Sequence, residues 1–169
     1  GVSETEQYVV PFRIVNGRPV VKARLNGESA IDLVVDTGAD RVALTPNMAR
    51  RAGVGMVSKL ETAGVGEMSR GFRPVETARL DQLEVGTLRV RNVPCLIKNP
   101  SLPLLPVPEG EDFSPLALGL SMRMDYENQT LTMARRLPAQ SYEITLPMRM
   151  SRLPVVRGVI NGSSPAGFI

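Results

Sequence analysis

The residues best placed to do chemistry are Asp36, Thr37 and Gly38, which follow the run "AIDLVV" at positions 30 to 35. Ile31, Leu33, Val34 and Val35 read as a buried β-strand. A carboxylate at the end of such a strand is costly unless hydrogen bonds hold it. Thr37 offers a hydroxyl, and Gly38 lets the backbone come close or turn sharply, so the triplet can present a carboxylate in a cradle of donors. A carboxylate held in this way suits acid–base chemistry. The same residues also suit a plain strand-ending turn with Asp36 as its cap. The flanking Asp32 and Asp40 are expected to be solvated or paired at the surface, where lone carboxylates mostly lie.

Inventory removes several other chemistries. The 169-residue chain has no His and one Cys. Zinc sites of the usual Cys/His type, serine–histidine and cysteine–histidine catalysis, and a disulfide framework are therefore excluded. Cys95, within the apolar run "VPCLIKN", reads as a small core residue. The formal net charge is +3. Lys and Arg are spread along the chain apart from pairs such as Arg50-Arg51 and Arg135-Arg136, which argues against nucleic-acid binding. No stretch is long and apolar enough to span a membrane, and no signal peptide is visible. The first residue is Gly and not Met, which suggests a processed or engineered start. The glycosylation-type triplets at Asn128 and Asn161 carry no weight, because such triplets arise often by chance.

The elements that must position Asp36 are those of a β protein. "YVVPFRIVNG" and "PVVKARLNG" are short β-branched runs, each closed by Asn-Gly, a favoured tight-turn pair. One helix is expected where Thr45 and Pro46 suit the N-cap and first turn, "NMARRA" propagates and Gly53 follows the end. Beyond it, "SKLETAGVGEMSRGFRPVETARL" and "LEVGTLRVRNVPCLIKN" are strand-like stretches broken by Gly. The proline-rich "NPSLPLLPVPEGEDFSP" reads as a surface loop. "LALGLSMRMDYENQTLTMARR" suggests an apolar run, a short helix and a final strand. The expected class is mostly β with one or two short helices. Gly64-Val65-Gly66 resembles part of a phosphate-binding loop but lacks the following helix and the Lys-Ser/Thr ending, so a hairpin turn is the better reading.

With "VVDTGAD" and, more weakly, "LALGLSMRMDYENQTLTM", the chain resembles the retropepsin-like aspartic peptidases of the single-lobe bacterial and retroviral type, over about residues 8 to 136. The resemblance implies a closed, partly orthogonal β-barrel-like lobe. It implies Asp36 as the catalytic carboxylate, with Thr37, Gly38 and Ala39 shaping the loop and Thr37 buttressing the partner lobe. It places an apolar-apolar-Gly element at Leu118 and Gly119, crossing beneath that loop. A substrate-clamping flap would fall on Gly64, Val65, Gly66 and Glu67. The proline-rich insertion before Leu116 departs from the family pattern. Peptide or protein substrates are implied, with no cofactor and no metal, and the peptidase class with the missing Met suggests a periplasmic or secreted protein.

One lobe supplies one Asp, whereas acid–base peptide hydrolysis needs two carboxylates sharing a proton. A homodimer would supply the second. The tail suggests another source. "PVVKARLNGESAIDLV" (19 to 34) aligns without a gap with "PVVRGVINGSSPAGFI" (154 to 169), as an internal repeat would. Residues 137 to 169 are accordingly expected to be a linker and the first strands of a second, truncated lobe, or to pair by their edges with the lobe or with another copy of the chain. The reading is an aspartic endopeptidase; the alternative is a catalytically incompetent peptide-binding or assembly module of the same fold.

Overall fold

The computed structural model describes residues 4, 6–63, 72–98 and 111–168. Strand outweighs helix by 51% to 7%, so the mostly-β expectation is met. The first strands are β1 (Tyr8–Pro11), β2 (Arg13–Val15), β3 (Arg18–Leu25), β4 (Ile31–Val35) and β5 (Val42–Leu44). Helix α1 (Pro46–Arg51) comes next, then β6 (Met56–Ala63), β7 (Phe72–Val85), β8 (Leu88–Ile97) and β9 (Asp112–Phe113). A single 3-10 turn at Leu116–Leu118 leads to β10 (Ser121–Asp125) and β11 (Thr130–Ala134), and the tail carries β12 (Met148–Ser151), β13 (Leu153–Gly158) and β14 (Ala166–Phe168).

The central sheet closes on itself. Its strand order is β2-β3-β4-β9-β5-β8-β7-β6, and β3 pairs with β7 as well as with β4. That extra pairing, Ala23 opposite Val85 and Leu25 opposite Leu83, turns β3-β4-β9-β5-β8-β7 into a six-stranded barrel. Closure leaves these strands without the free backbone edge that an open sheet presents. A second sheet, β1-β11-β10, adds Tyr8, Val10, Leu131 and Met133 to the same core. Aromatics are few, and Leu33, Leu80, Leu83, Val85, Leu88 and Phe113 are among the fully buried side chains that fill the barrel. Cys95 is buried there too, and burial pushes its thiol up to about 11.

Local signals act much as the sequence suggests. Asn16-Gly17 and Asn26-Gly27 are turns with φ of 50°, 75°, 50° and 79°, as the primed hairpin turns require. Thr45 caps α1, its Oγ1 accepting the Met48 N–H at 3.2 Å, with Pro46 in the first turn. Along β3, Val21, Ala23 and Leu25 are buried while Lys22 and Arg24 face solvent, the alternation of a one-sided strand.

Three expectations change. "YVVPFRIV" is split at Phe12, whose N–H donates to the Gln129 carbonyl at 2.9 Å, so that β1 joins β11 while β2 joins β3. The end of the proline-rich stretch is not loop: Asp112 and Phe113 form β9, inside the barrel between β4 and β5. A two-residue strand carries no periodic pattern of its own and exists only because its neighbours supply both ladders. The stretch after residue 116 holds one 3-10 turn and two strands rather than a helix and one strand, with Asp125 accepting the Asn128 N–H at 2.9 Å to close the β10–β11 turn. Among the described residues no helix is long and apolar enough to cross a membrane.

The β7–β8 hairpin turns at Gly86, which has φ 59° and lies so close to Val10 that a Cβ there would run into its Cγ1. Gly86→Ala is expected to destabilise the fold by about 2–4 kcal/mol through backbone strain and overpacking. Equilibrium urea unfolding checks this, and in a Val10→Ala background only the strain, about 1–2 kcal/mol, should remain.

Candidate active site

β4 brings the chain to the Asp-Thr-Gly loop. Ile31, Leu33 and Val35 are buried on its inner face, and the strand ends at Val35, so Asp36 leaves the barrel wall and is exposed. Its backbone N–H donates to the Phe113 carbonyl at 2.9 Å, which extends the β4–β9 ladder by one bond beyond the strand. Its Oδ1 accepts the Gly38 N–H at 2.8 Å, and its carbonyl accepts the Ala39 N–H at 3.2 Å. The loop is thus a tight turn wrapped round the carboxylate, and a Cβ at position 38 would sit 3.2 Å from that oxygen. Thr37 and Gly38 are exposed and Ala39 is half-buried.

The Leu116–Leu118 turn lies beside this loop. Gly119 ends it, donating to the Leu116 carbonyl at 3.0 Å, while the Leu120 N–H reaches back to the Pro115 carbonyl at 3.0 Å. Ala117 and Leu118 line a cleft of about 260 Å³ with Asp40, Arg41, Val42, Pro94 and Ser114. Leu118 therefore comes together with the residues that follow Ala39. A second cleft, about 270 Å³ and lined by residues including Val10, Lys22, Arg24 and Glu84, contains none of the Asp36 loop. The two strands that would carry a flap, β6 and β7, pair antiparallel up to Ala63 opposite Phe72. Gly64, Val65, Gly66 and Glu67 lie outside the described residues.

The flanking carboxylates are paired at the surface. Asp32 holds Arg13 at 2.9 Å and Lys22 at 2.7 Å, and the Lys22 hydrogen bond leads the effects that keep its carboxyl below the usual range. Asp40 takes Arg152, from the turn between β12 and β13, at 2.6 Å. Exposed pairs of this kind contribute little to stability, but the second one places the tail next to the Asp36 loop.

Sequence reasoning missed Asp112. It opposes Val34 in the parallel β4–β9 ladder, and its Oδ1 is buried with no hydrogen-bond partner among the described residues. Burial pushes its carboxyl up to about 6; Lys98, 3.7 Å from Oδ2, opposes this and the Asp36 charge adds to it. Burial outweighs the ion pair because Lys98 is itself half in solvent and distant. Next to it, Glu111 accepts the Thr45 hydroxyl at 2.7 Å, tying the start of α1 to the same segment. The only trace in sequence is the acidic "EGED" ahead of Phe113, which looks like solvated loop.

Comparisons with known proteins bear on the family and the fold. The profile of the family described as aspartyl protease matches residues 21–122. The chain belongs to the aspartyl protease family. Among solved structures, this family member is similar to a retropepsin-like aspartic protease from Rickettsia conorii, with a TM-score of 0.52 and 18% identity over 76% of this chain and 90% of the other. At that identity the likeness is one of fold: the lobe has a retropepsin-like fold. A comparison with curated proteins gives no match.

Asp112 yields a pH signature. A carboxyl raised in the folded state favours folding below its ordinary value near 3.8, and that contribution is lost as pH rises through about 6. Asp112→Asn removes the titration. The stability of the variant relative to the parent should therefore rise by roughly 2 kcal/mol between pH 4 and pH 7. Parallel urea titrations of both proteins at the two pH values measure it, and a constant difference would count against a buried, titrating Asp112.

Proposed function

We propose that this protease is an aspartic endopeptidase in which Asp36 is one carboxylate of a dyad. The observation that carries the reading is the exposed Asp36 at the end of β4, with one oxygen held by the Gly38 N–H and its backbone held by Phe113. Such a carboxylate is fixed in direction yet open to substrate. The partner Asp comes from a second lobe or a second subunit.

The chemistry follows from the pair. Two carboxylates a few Å apart share one proton, because both cannot ionise cheaply. The ionised one takes a proton from a water as that water attacks the peptide carbonyl, and the protonated one donates to the carbonyl oxygen. The resulting tetrahedral diol collapses when a proton is delivered to the amide nitrogen, breaking the C–N bond. The exposed Thr37 hydroxyl is available to buttress the partner loop. Gly64 to Glu67, which follow β6 in the sequence, would cover an extended peptide and pair with it as an added strand. Leu118 and Gly119 support the loop from the cleft side.

Asp36→Asn keeps an oxygen for the Gly38 N–H and lies outside the core, so folding should be unchanged. Cleavage of a mixed peptide library between pH 4 and pH 7 should fall by about 10²–10⁴-fold in kcat/KM. Activity per chain that rises with protein concentration assigns the partner Asp to a second subunit. A well-folded parent that binds peptides without cleaving them would instead be a binding module of the same fold.

A further inference from the structure

The last strands of the chain repeat the first ones in backbone as well as in sequence. Pro19-Val20-Val21 in β3 corresponds to Pro154-Val155-Val156 in β13, and Asn26-Gly27 to Asn161-Gly162. In the first hairpin Val21 opposes Leu33, Lys22 opposes Asp32 and Ala23 opposes Ile31. The equivalent positions are Val156 with Phe168, Arg157 with Gly167 and Gly158 with Ala166, and these are the pairs that β13 and β14 form. The turns match as well: Asn26 and Asn161 both have φ 50°, and Gly27 and Gly162 have 79° and 73°. Glu28 donates to the Leu25 carbonyl at 2.9 Å, and its equivalent Ser163 donates to the Ile160 carbonyl at 2.9 Å.

The correspondence extends one strand further back. Arg13, Ile14 and Val15 oppose Val20, Pro19 and Arg18; Arg149, Met150 and Ser151 oppose Val155, Pro154 and Leu153. Only the turn differs, with Asn16-Gly17 replaced by Arg152 alone at φ 68°. Register follows from turn type within one hairpin. Agreement across three strands, despite a one-residue deletion, is more than a turn preference explains.

Burial separates the two copies. Val10, Phe12 and Leu25 are 4%, 2% and 1% exposed, whereas Leu146, Met148 and Ile160 are 61%, 49% and 57% exposed. In the first copy, residues 23–25 pair with β7 and β4 pairs with β9. Among the described residues, β13 and β14 have no such neighbours.

We propose that residues 143–168 are the opening strands of a second lobe. Their apolar face is covered by the remaining strands of that lobe in the same polypeptide: an apolar antiparallel hairpin in the role of β7–β8 and a short strand in the role of β9. A second copy of this chain does not fit the part, because its β7 and β8 are already committed to its own closed barrel. A loop placed after β14 as the Asp36 loop is placed after β4 would carry the partner carboxylate. Arg152, reaching Asp40 at 2.6 Å, sets this lobe against the Asp36 loop. The catalytic consequence rests on the dyad reading; the lobe does not.

The test extends the full chain directly after Ile169 with its own residues 35–136, and compares this with the same extension preceded by one inserted Gly, which slips the register. The in-register protein should be monomeric by light scattering. Hydrogen exchange at Gly158–Ile160 and Ala166–Phe168 should be at least tenfold slower than in the 169-residue chain and in the slipped control. Equal exchange in both extensions overturns the proposal. If neither extension folds, the 169-residue chain decides: a monomer supports the proposal, and a dimer dispersed by Ile160→Arg overturns it in favour of a second copy. Peptide cleavage is read separately. Protection without cleavage upholds the lobe and counts against the dyad reading alone.

Discussion

The Phe113 carbonyl accepts the Asp36 N–H at 2.9 Å, at the end of the β4–β9 seam of the barrel wall. β9 is two residues long, yet it pairs with β4 on one side and β5 on the other and so completes the ring on which β3, β8 and β7 also depend. The same two residues fix where the Asp-Thr-Gly loop leaves the wall. Phe113 is fully buried and anchors this seam, while Asp112 beside it keeps, among the described residues, an unpartnered carboxyl oxygen within the wall. Such groups are costly, and here the cost falls where the barrel wall meets the Asp36-Thr37-Gly38 loop.

From that seam the other parts of the site follow in order. Glu111 holds the Thr45 hydroxyl, which caps α1. Ser114 and Pro115 lead from β9 into the turn that presents Ala117 and Leu118 to the cleft beside Asp40. The Asp36 loop, the 3-10 turn and the helix cap thus all meet one continuous segment, residues 111–119.

The tail illustrates how much of a strand's stability is borrowed. β12, β13 and β14 form a regular sheet with the register of β2, β3 and β4, which shows that turn chemistry and β-branched residues suffice to set local pairing. They do not bury the side chains. Phe12 and Leu25 disappear under neighbouring strands, while Met148 and Ile160 do not, so the hydrophobic gain that stabilises β2 to β4 is largely unrealised in β12 to β14.

The local pieces are legible along the chain: the Asn-Gly turns, the Thr45-Pro46 helix start, the inward Val and Leu positions, the Asp36-Thr37-Gly38 turn and the similarity of the tail to the first hairpin. Each is written in residues adjacent along the chain, where propensity and alternation act directly. Tertiary structure alone decided the split at Phe12, the existence of β9, the double pairing of β3 that closes the barrel, the burial of Asp112 and the reach of Arg152 to Asp40. These join residues far apart in sequence, and a pattern with a period of two cannot say which distant strand will supply the other half of a ladder.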